Sequence, residues 1–256
     1  MATTTTEEKD KAKNENNNDI PSISFYITGF GKFGGIENNP TTTIVQTLQE
    51  EYKNGNPKLQ NIKHFSIVKV AASSATEEVD HIMQLIQQEK KKHVVILHLG
   101  VNPRIGQNPA FQLEKNAYNE ANFRIPDEES FQPRNETIDP THPDLGFKWS
   151  TDLNVKVLQD RLAHKGFFDV CTSGDAGRFV CNYIYFRSLN AVRQYYAAQS
   201  SEKEEDVVKI HVLFVHVPKF EGIPQEIQVD FSKELIDLIQ EMIVEKEEKK
   251  RRKKLR

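Results

Sequence analysis

The sequence predicts a single α/β domain of three layers, helices on either side of a mostly parallel (mixed) central sheet. Three observations carry that expectation. Strand-like and helix-like segments alternate along the chain, the pattern of a sheet held between helical layers. The run His93-Val-Val-Ile-Leu-His-Leu99 is continuously apolar and stops at Gly100, as expected of a strand covered on both faces. The length of 256 residues suits one α/β domain better than two small ones.

Taken in order, Ser24 to Thr28 reads as a short strand ended by Gly29. Asn39 is placed to cap a helix that Pro40 opens and that runs over Thr41 to Glu51. Ser66 to Ala71 reads as a strand. Behind it Ser74-Ala-Thr-Glu77 has the capping-box pattern, with Val79, Ile82, Met83 and Ile86 at helical spacing. The His93 to Leu99 strand follows. Thr151 to Lys165 is expected as a helix stopped by Gly166, and Phe167 to Thr172 as a strand. Phe179 to Ala198 is a helix, Val207 to Val217 a long strand, and Phe231 to Glu248 the last helix. In such sheets the site lies beyond the carboxyl ends of the strands. The loops after Thr28, Leu99, Thr172 and Val217 are therefore expected to gather at one edge.

Composition narrows the function classes. Apolar types make up 37% of the chain and charged types 28%, and no apolar run reaches the ~18 residues of a membrane span. Residues 1–20 read as a disordered polar leader with no secretory signal, 21–244 as the folded domain, and 245–256 as a basic tail. The overall charge is −3, but the tail carries +5, which leaves the body at −8. The run Lys249 to Lys254 could be a nuclear signal or a nucleic-acid arm. A solvated helix end is the preferred reading, because the body has no basic stripe with interleaved aromatics, and neither nucleic-acid nor membrane partners are expected. Gln199 to Asp206 is expected as an exposed loop. Two cysteines cannot make a disulfide framework, so a reducing compartment such as the cytosol is expected.

Two loops carry chemistry. Gly29-Phe-Gly31-Lys-Phe-Gly34 matches the G-x-G-x-x-G of dinucleotide sites and follows a strand. The third glycine should sit inside a helix, yet loop continues here to Pro40, and two phenylalanines crowd the turn. Phe30 and Phe33 suggest either an apolar clamp for a small flat ligand or two aromatics anchoring the loop. The second loop, Ser173-Gly-Asp-Ala-Gly-Arg-Phe-Val-Cys181-Asn, puts Cys181 in the first turn of a helix. The helix dipole there favours a thiolate, and free N–H groups there can hold an oxyanion. Cys171 sits in an apolar strand and reads as a small buried hydrophobe. Without a partner Cys181 would be read as a buried helix cysteine too. Of eight histidines, His216 alone sits at a strand's carboxyl end, where it could pair with the thiolate. His93 and His98 are expected in satisfied core roles. Glu114 is the foremost acidic candidate to orient the His216 ring.

Six segments in fixed order resemble pyroglutamyl-peptidase I, a family of cysteine peptidases. They are the glycine-phenylalanine loop with Asn39-Pro40, His98-Leu-Gly-Val101, Leu113-Glu-Lys115, Arg124-Ile-Pro-Asp127, Asp175-Ala-Gly-Arg-Phe-Val-Cys181-Asn-Tyr and Phe214-Val-His-Val-Pro218. The resemblance implies a cytosolic exopeptidase that releases N-terminal pyroglutamate from peptides with a Cys-His-Glu triad, no metal and no cofactor. Carried onto this chain, it makes Cys181 the nucleophile, His216 the general base and acid, and Glu114 the third member. It puts Phe30, Phe33, Phe179 and Val180 around the lactam ring, the Val101 backbone on the lactam, Asn39 under the loop and Arg124 by the oxyanion. Lys32 stands where Pro is usual, and Val101 where bacterial relatives have Gln. Two other readings stay open: a nucleotide-dependent oxidoreductase using the Gly29 loop, and a catalytically silent binder of pyroglutamyl peptides.

Overall fold

Continuous apolar strands must be covered on both faces, and two helical layers do this. The computed structural model describes residues 21–89, 92–102, 110–203 and 207–254, so the polar leader and part of the 199–206 loop lie outside the described residues. The strands are β1 (Ile23–Phe30), β2 (Ile62–Val68), β3 (His93–Val101), β4 (Phe111–Glu114), β5 (Asn116–Tyr118), β6 (Lys148–Ser150), β7 (Val170–Ser173) and β8 (Lys209–Val217). The α-helices are α1 (Pro40–Lys53), α2 (Ala72–Gln87), α3 (Val155–His164), α4 (Val180–Ala198) and α5 (Gln225–Lys254). Six strands form the main sheet in the order β2-β1-β3-β8-β4-β7, and β5 and β6 make a small antiparallel pair. β1 and β3 are buried at every position, as their sequences demand. One face of the sheet packs on α1, α3 and α5, the other on α2 and α4. Among the described residues no helix is long and apolar enough to cross a membrane.

The three-layer α/β/α fold with a mixed sheet is as expected, with one correction to its geometry. β4 pairs antiparallel with β8 and parallel with β7, so both run against the other four strands. The loop after Thr172 therefore starts away from the edge shared by the loops after β1, β3 and β8. Residues 174–179 carry the chain back across the sheet to the start of α4.

Several boundaries also move, those of α2 and α3 through long-range contacts. α2 begins at Ala72, so Ser74 lies inside its first turn and caps nothing. The Ala72 N–H donates instead to the Asp127 carboxylate, 2.9 Å away and 55 residues on. α3 starts at Val155 behind the Asn154 cap, because the Thr151 hydroxyl is engaged with the Val212 carbonyl. α5 begins six residues before Phe231 and continues through the basic run to Lys254. β4, β5 and β6 lie in a polar stretch where alternation gives no signal.

Candidate active site

β1 and β3 stay paired only as far as Thr28 and His98. Beyond that point β1 follows β2 to Phe30 and Val68, while β3 follows β8 to Val101 and Val217. The strands part, and the Gly29 loop and the end of β3 flank the opening.

The Gly29 loop is closely fastened. A Cβ at Gly29 would lie 2.7 Å from the Thr41 carbonyl oxygen, so only glycine lets α1 pack this close. The Gly31 N–H donates to the Val68 carbonyl at 2.9 Å, and Phe33 and Ile36 close a small turn through Gly34 and Gly35, both at positive φ. Asn39 caps α1 by accepting from the Thr41 N–H, and its amide donates to the Gly31 carbonyl at 2.9 Å. The Gly34 N–H donates to Glu128. These bonds hold the loop in place with Lys32 exposed in it. They also argue against the nucleotide reading. The α1 N-terminus that a pyrophosphate would need is already filled by Asn39, nine residues of chain after Phe30.

The 173–179 loop is built the same way. Gly177 takes φ 83°, its N–H donates to Asp175, and the Arg178 guanidinium pairs with Glu120 at 2.7 Å and lies 4.0 Å over the Tyr118 ring. Asn182, fully buried, accepts from the Tyr118 N–H and donates to the Tyr118 and Glu120 carbonyls. This clamp seats the start of α4 over the sheet. No side chain caps α4 at Phe179, which leaves its first-turn N–H groups uncapped by side chains.

Cys181, His216 and Glu114 meet on the sheet face under α4. In the β4–β8 ladder Glu114 lies opposite Phe214 and Gln112 opposite His216, so Glu114 and His216 are diagonal neighbours on one face. The His216 Nδ1 and Glu114 Oε1 are 2.8 Å apart, with both residues buried. The other oxygen, Glu114 Oε2, is buried and has no hydrogen-bond partner among the described residues. The Cys181 sulfur lies beside the same ring, next to Gly100, the strand partner of His216. Burial pulls the His216 pKa down, but its interactions with Cys181 and Glu114 outweigh that and push it up to about 9. Gly100 is the β3 partner of His216, and a Cβ there would lie 2.5 Å from the Phe214 ring and 3.2 Å from Cys181 Sγ. The missing side chain is the seat of the thiol.

The remaining expected residues fall into two groups. Phe179 faces Phe33 with ring centres 6.1 Å apart, backed by Phe123 at 4.8 Å. Phe30 is 2% exposed and packs against Phe214, which packs on His216. Val180 is buried, as is Val101 at the end of β3. Arg124 is exposed, next to Ile125, which lies against Gly34. The structure does not bring its guanidinium into hydrogen-bond contact with His216 or Cys181. His98 sits in the core between the Thr28 and Ser188 hydroxyls, and burial drives its pKa down to about 4. Sequence reasoning passed over Gly100, Asn182, Arg178 and Asp127 as supports, although all four stand in or beside the quoted motifs. Among the described residues no group of His, Cys, Asp or Glu could hold a metal.

The model of the pyroglutamyl peptidase family matches residues 23–247. The chain is 28% identical over 164 residues to the pyrrolidone-carboxylate peptidase of Thermococcus litoralis, covering 64% of this chain and 67% of that one. It is 28% identical over 198 residues to that of Lactobacillus johnsonii, covering 77% and 78%. The solved Thermococcus litoralis enzyme superposes with a TM-score of 0.68 at 22% identity, over 87% of this chain and 95% of that one. The pyrrolidone carboxyl peptidase of Fervidobacterium islandicum superposes with a TM-score of 0.62 at 25% identity, over 86% and 99%. Neither family nor relatives favour nucleotide-dependent redox chemistry, and that reading is withdrawn.

Proposed function

The chain belongs to the pyroglutamyl peptidase family, and from that premise we propose that it hydrolyses the N-terminal pyroglutamyl residue from peptides through a thioester on Cys181. The observation that carries the reading is Cys181 set beside the His216 ring, which is itself hydrogen-bonded to the buried Glu114 carboxylate. Held between Cys181 and Glu114, the imidazole keeps its proton at neutral pH, and the sulfur beside it is the nucleophile.

The sulfur attacks the pyroglutamyl carbonyl carbon, and the C=O electron pair moves onto oxygen. The uncapped N–H groups of the first α4 turn face developing negative charge and the helix dipole favours it. The carbon–nitrogen bond then breaks, and the imidazolium gives its proton to the leaving amine. Neutral His216 takes a proton from water, hydroxide attacks the thioester, and Cys181 leaves as thiolate while the imidazolium is restored. Pyroglutamate has neither a free α-amine nor a charged side chain, so recognition needs an apolar slot and a few backbone hydrogen bonds. Phe33 and Phe179 form the slot's walls, Val180 and the tilted Phe30–Phe214 pair its floor, and the β3 backbone at Val101 supplies hydrogen bonds. Asn39 fixes the Phe33 loop, and Arg124 adds positive charge at the rim. The assembled triad weighs against a silent binder of the same peptides.

The test is release of a fluorogenic amine from pyroglutamyl and prolyl amides. Pyroglutamyl-selective release that Cys181→Ala abolishes and Cys171→Ala spares is expected. Equal activity in Cys181→Ala would overturn the assignment.

A further inference from the structure

Tyr185 follows Cys181 by one helical turn on the face of α4 turned to the sheet, and it is fully buried. Its hydroxyl donates to the Glu114 carbonyl oxygen at 2.9 Å and lies within hydrogen-bonding reach of Thr151 and of the Phe214 backbone. Glu114 and Phe214 are the cross-strand pair at the end of the three-pair β4–β8 ladder. That hydrogen-bonded ladder sets the register between Glu114 and His216, two residues beyond Phe214. The Tyr185 ring also packs on Phe214, 5.8 Å between centres, and Phe214 packs on His216 at 4.8 Å. Burial first, then the Glu114 charge, raises the phenol's pKa, so the group stays a donor at any working pH. Its α4 neighbours Ile184, Phe186 and Leu189 are apolar, and a Phe would fill the same volume. A buried hydroxyl costs free energy unless it is bonded, so its presence is accounted for by what it bonds.

We propose that Tyr185 is a positioning residue of this reaction, whose hydroxyl ties the nucleophile's helix to the strand pair that sets Glu114 against His216. Loss of the hydroxyl frees the end of β4, lengthens the Glu114–His216 bond and weakens the hold on the imidazolium proton. A Phe at 185 keeps the ring's packing on Phe214, so the floor of the substrate slot is unchanged. The inference rests on Cys181, His216 and Glu114 acting together.

The test is Tyr185→Phe in the full chain, assayed on a pyroglutamyl amide across pH. A fall in kcat of about ten-fold with KM unchanged within two-fold is expected. The upper limb of the kcat profile moves to lower pH, and the His216 ring resonance in NMR titrates lower by about one unit, readable even at low turnover. Unchanged kcat and His216 titration, with only a lower melting temperature, would leave Tyr185 a packing residue and overturn the proposal. The two readings fail separately. An active Cys181→Ala sinks the triad, whereas an inactive Cys181→Ala beside an unaltered Tyr185→Phe sinks only the role of Tyr185.

Discussion

Gly100 shows how an absent atom can shape a site. Its backbone pairs with His216, and the space a Cβ would occupy is taken by the Phe214 ring and Cys181 Sγ. Gly100→Ala therefore pushes the thiol off the imidazole. We expect a kcat at least ten-fold lower and a loss of about 1–3 kcal/mol in urea unfolding, the usual cost of overpacking. His216 sets the pH behaviour. Its pKa is raised from 6.5 to about 9, and in the proposed mechanism the leaving amine takes its proton. Turnover should thus hold through neutral pH and fall as pH rises through about 9. In Glu114→Gln the charge that helps hold the proton is gone, and the same limb should appear at lower pH.

The elements supply the parts in pairs. α1 and the Gly29 loop are one unit, joined by Asn39, which caps the helix and holds the Gly31 carbonyl. Asn39→Ala should cost about 1 kcal/mol of stability and raise KM more than it lowers kcat, since Phe33 is loosened while the triad is not. Steady-state kinetics beside a melting curve checks this. The same elements show what sequence can reveal. Cys181 was legible because a glycine-rich loop before a helix is a local pattern, and His216 because a strand's carboxyl end is. The cap of α2 was not, because Asp127 reaches Ala72 across 55 residues while a nearer Ser-x-x-Glu offers a false start. β4 was not, because four residues show too little alternation. Without β4 the reversal of β7 was invisible too, and so was the path by which residues 174–179 bring Cys181 back over the sheet.

At the scale of the whole molecule, buried histidines make stability a function of pH with opposite signs. Burial lowers His98 and, with the nearby His211 and Lys209 charges, His93, each to about 4. Their unfolded forms bind protons first, so their contribution is complete above pH 6.5 and is lost as pH falls through 4. His216 acts the other way: its contribution is complete below 6.5 and is lost as pH rises through about 9. Unfolding free energy should therefore peak near pH 6.5 to 7, and in Cys181→Ala the alkaline decline should be smaller and finish at lower pH. Chemical denaturation at a series of pH values measures both. His93 shares its Nδ1 contact with His211, which is bound to Asp152 on the sheet face away from the thiol. The acid limb thus belongs to the fold and the alkaline limb to the site.

The central claim is that the reaction passes through an acyl group on one particular sulfur. The direct measurement is mass spectrometry of the protein quenched in acid during turnover of a pyroglutamyl amide, followed by peptide mapping. A pyroglutamyl group is expected on the peptide containing Cys181, absent in Cys181→Ala and decaying once substrate is spent. Turnover with the acyl group on Cys171, or with no acylated peptide even in a variant slowed at His216, would contradict it.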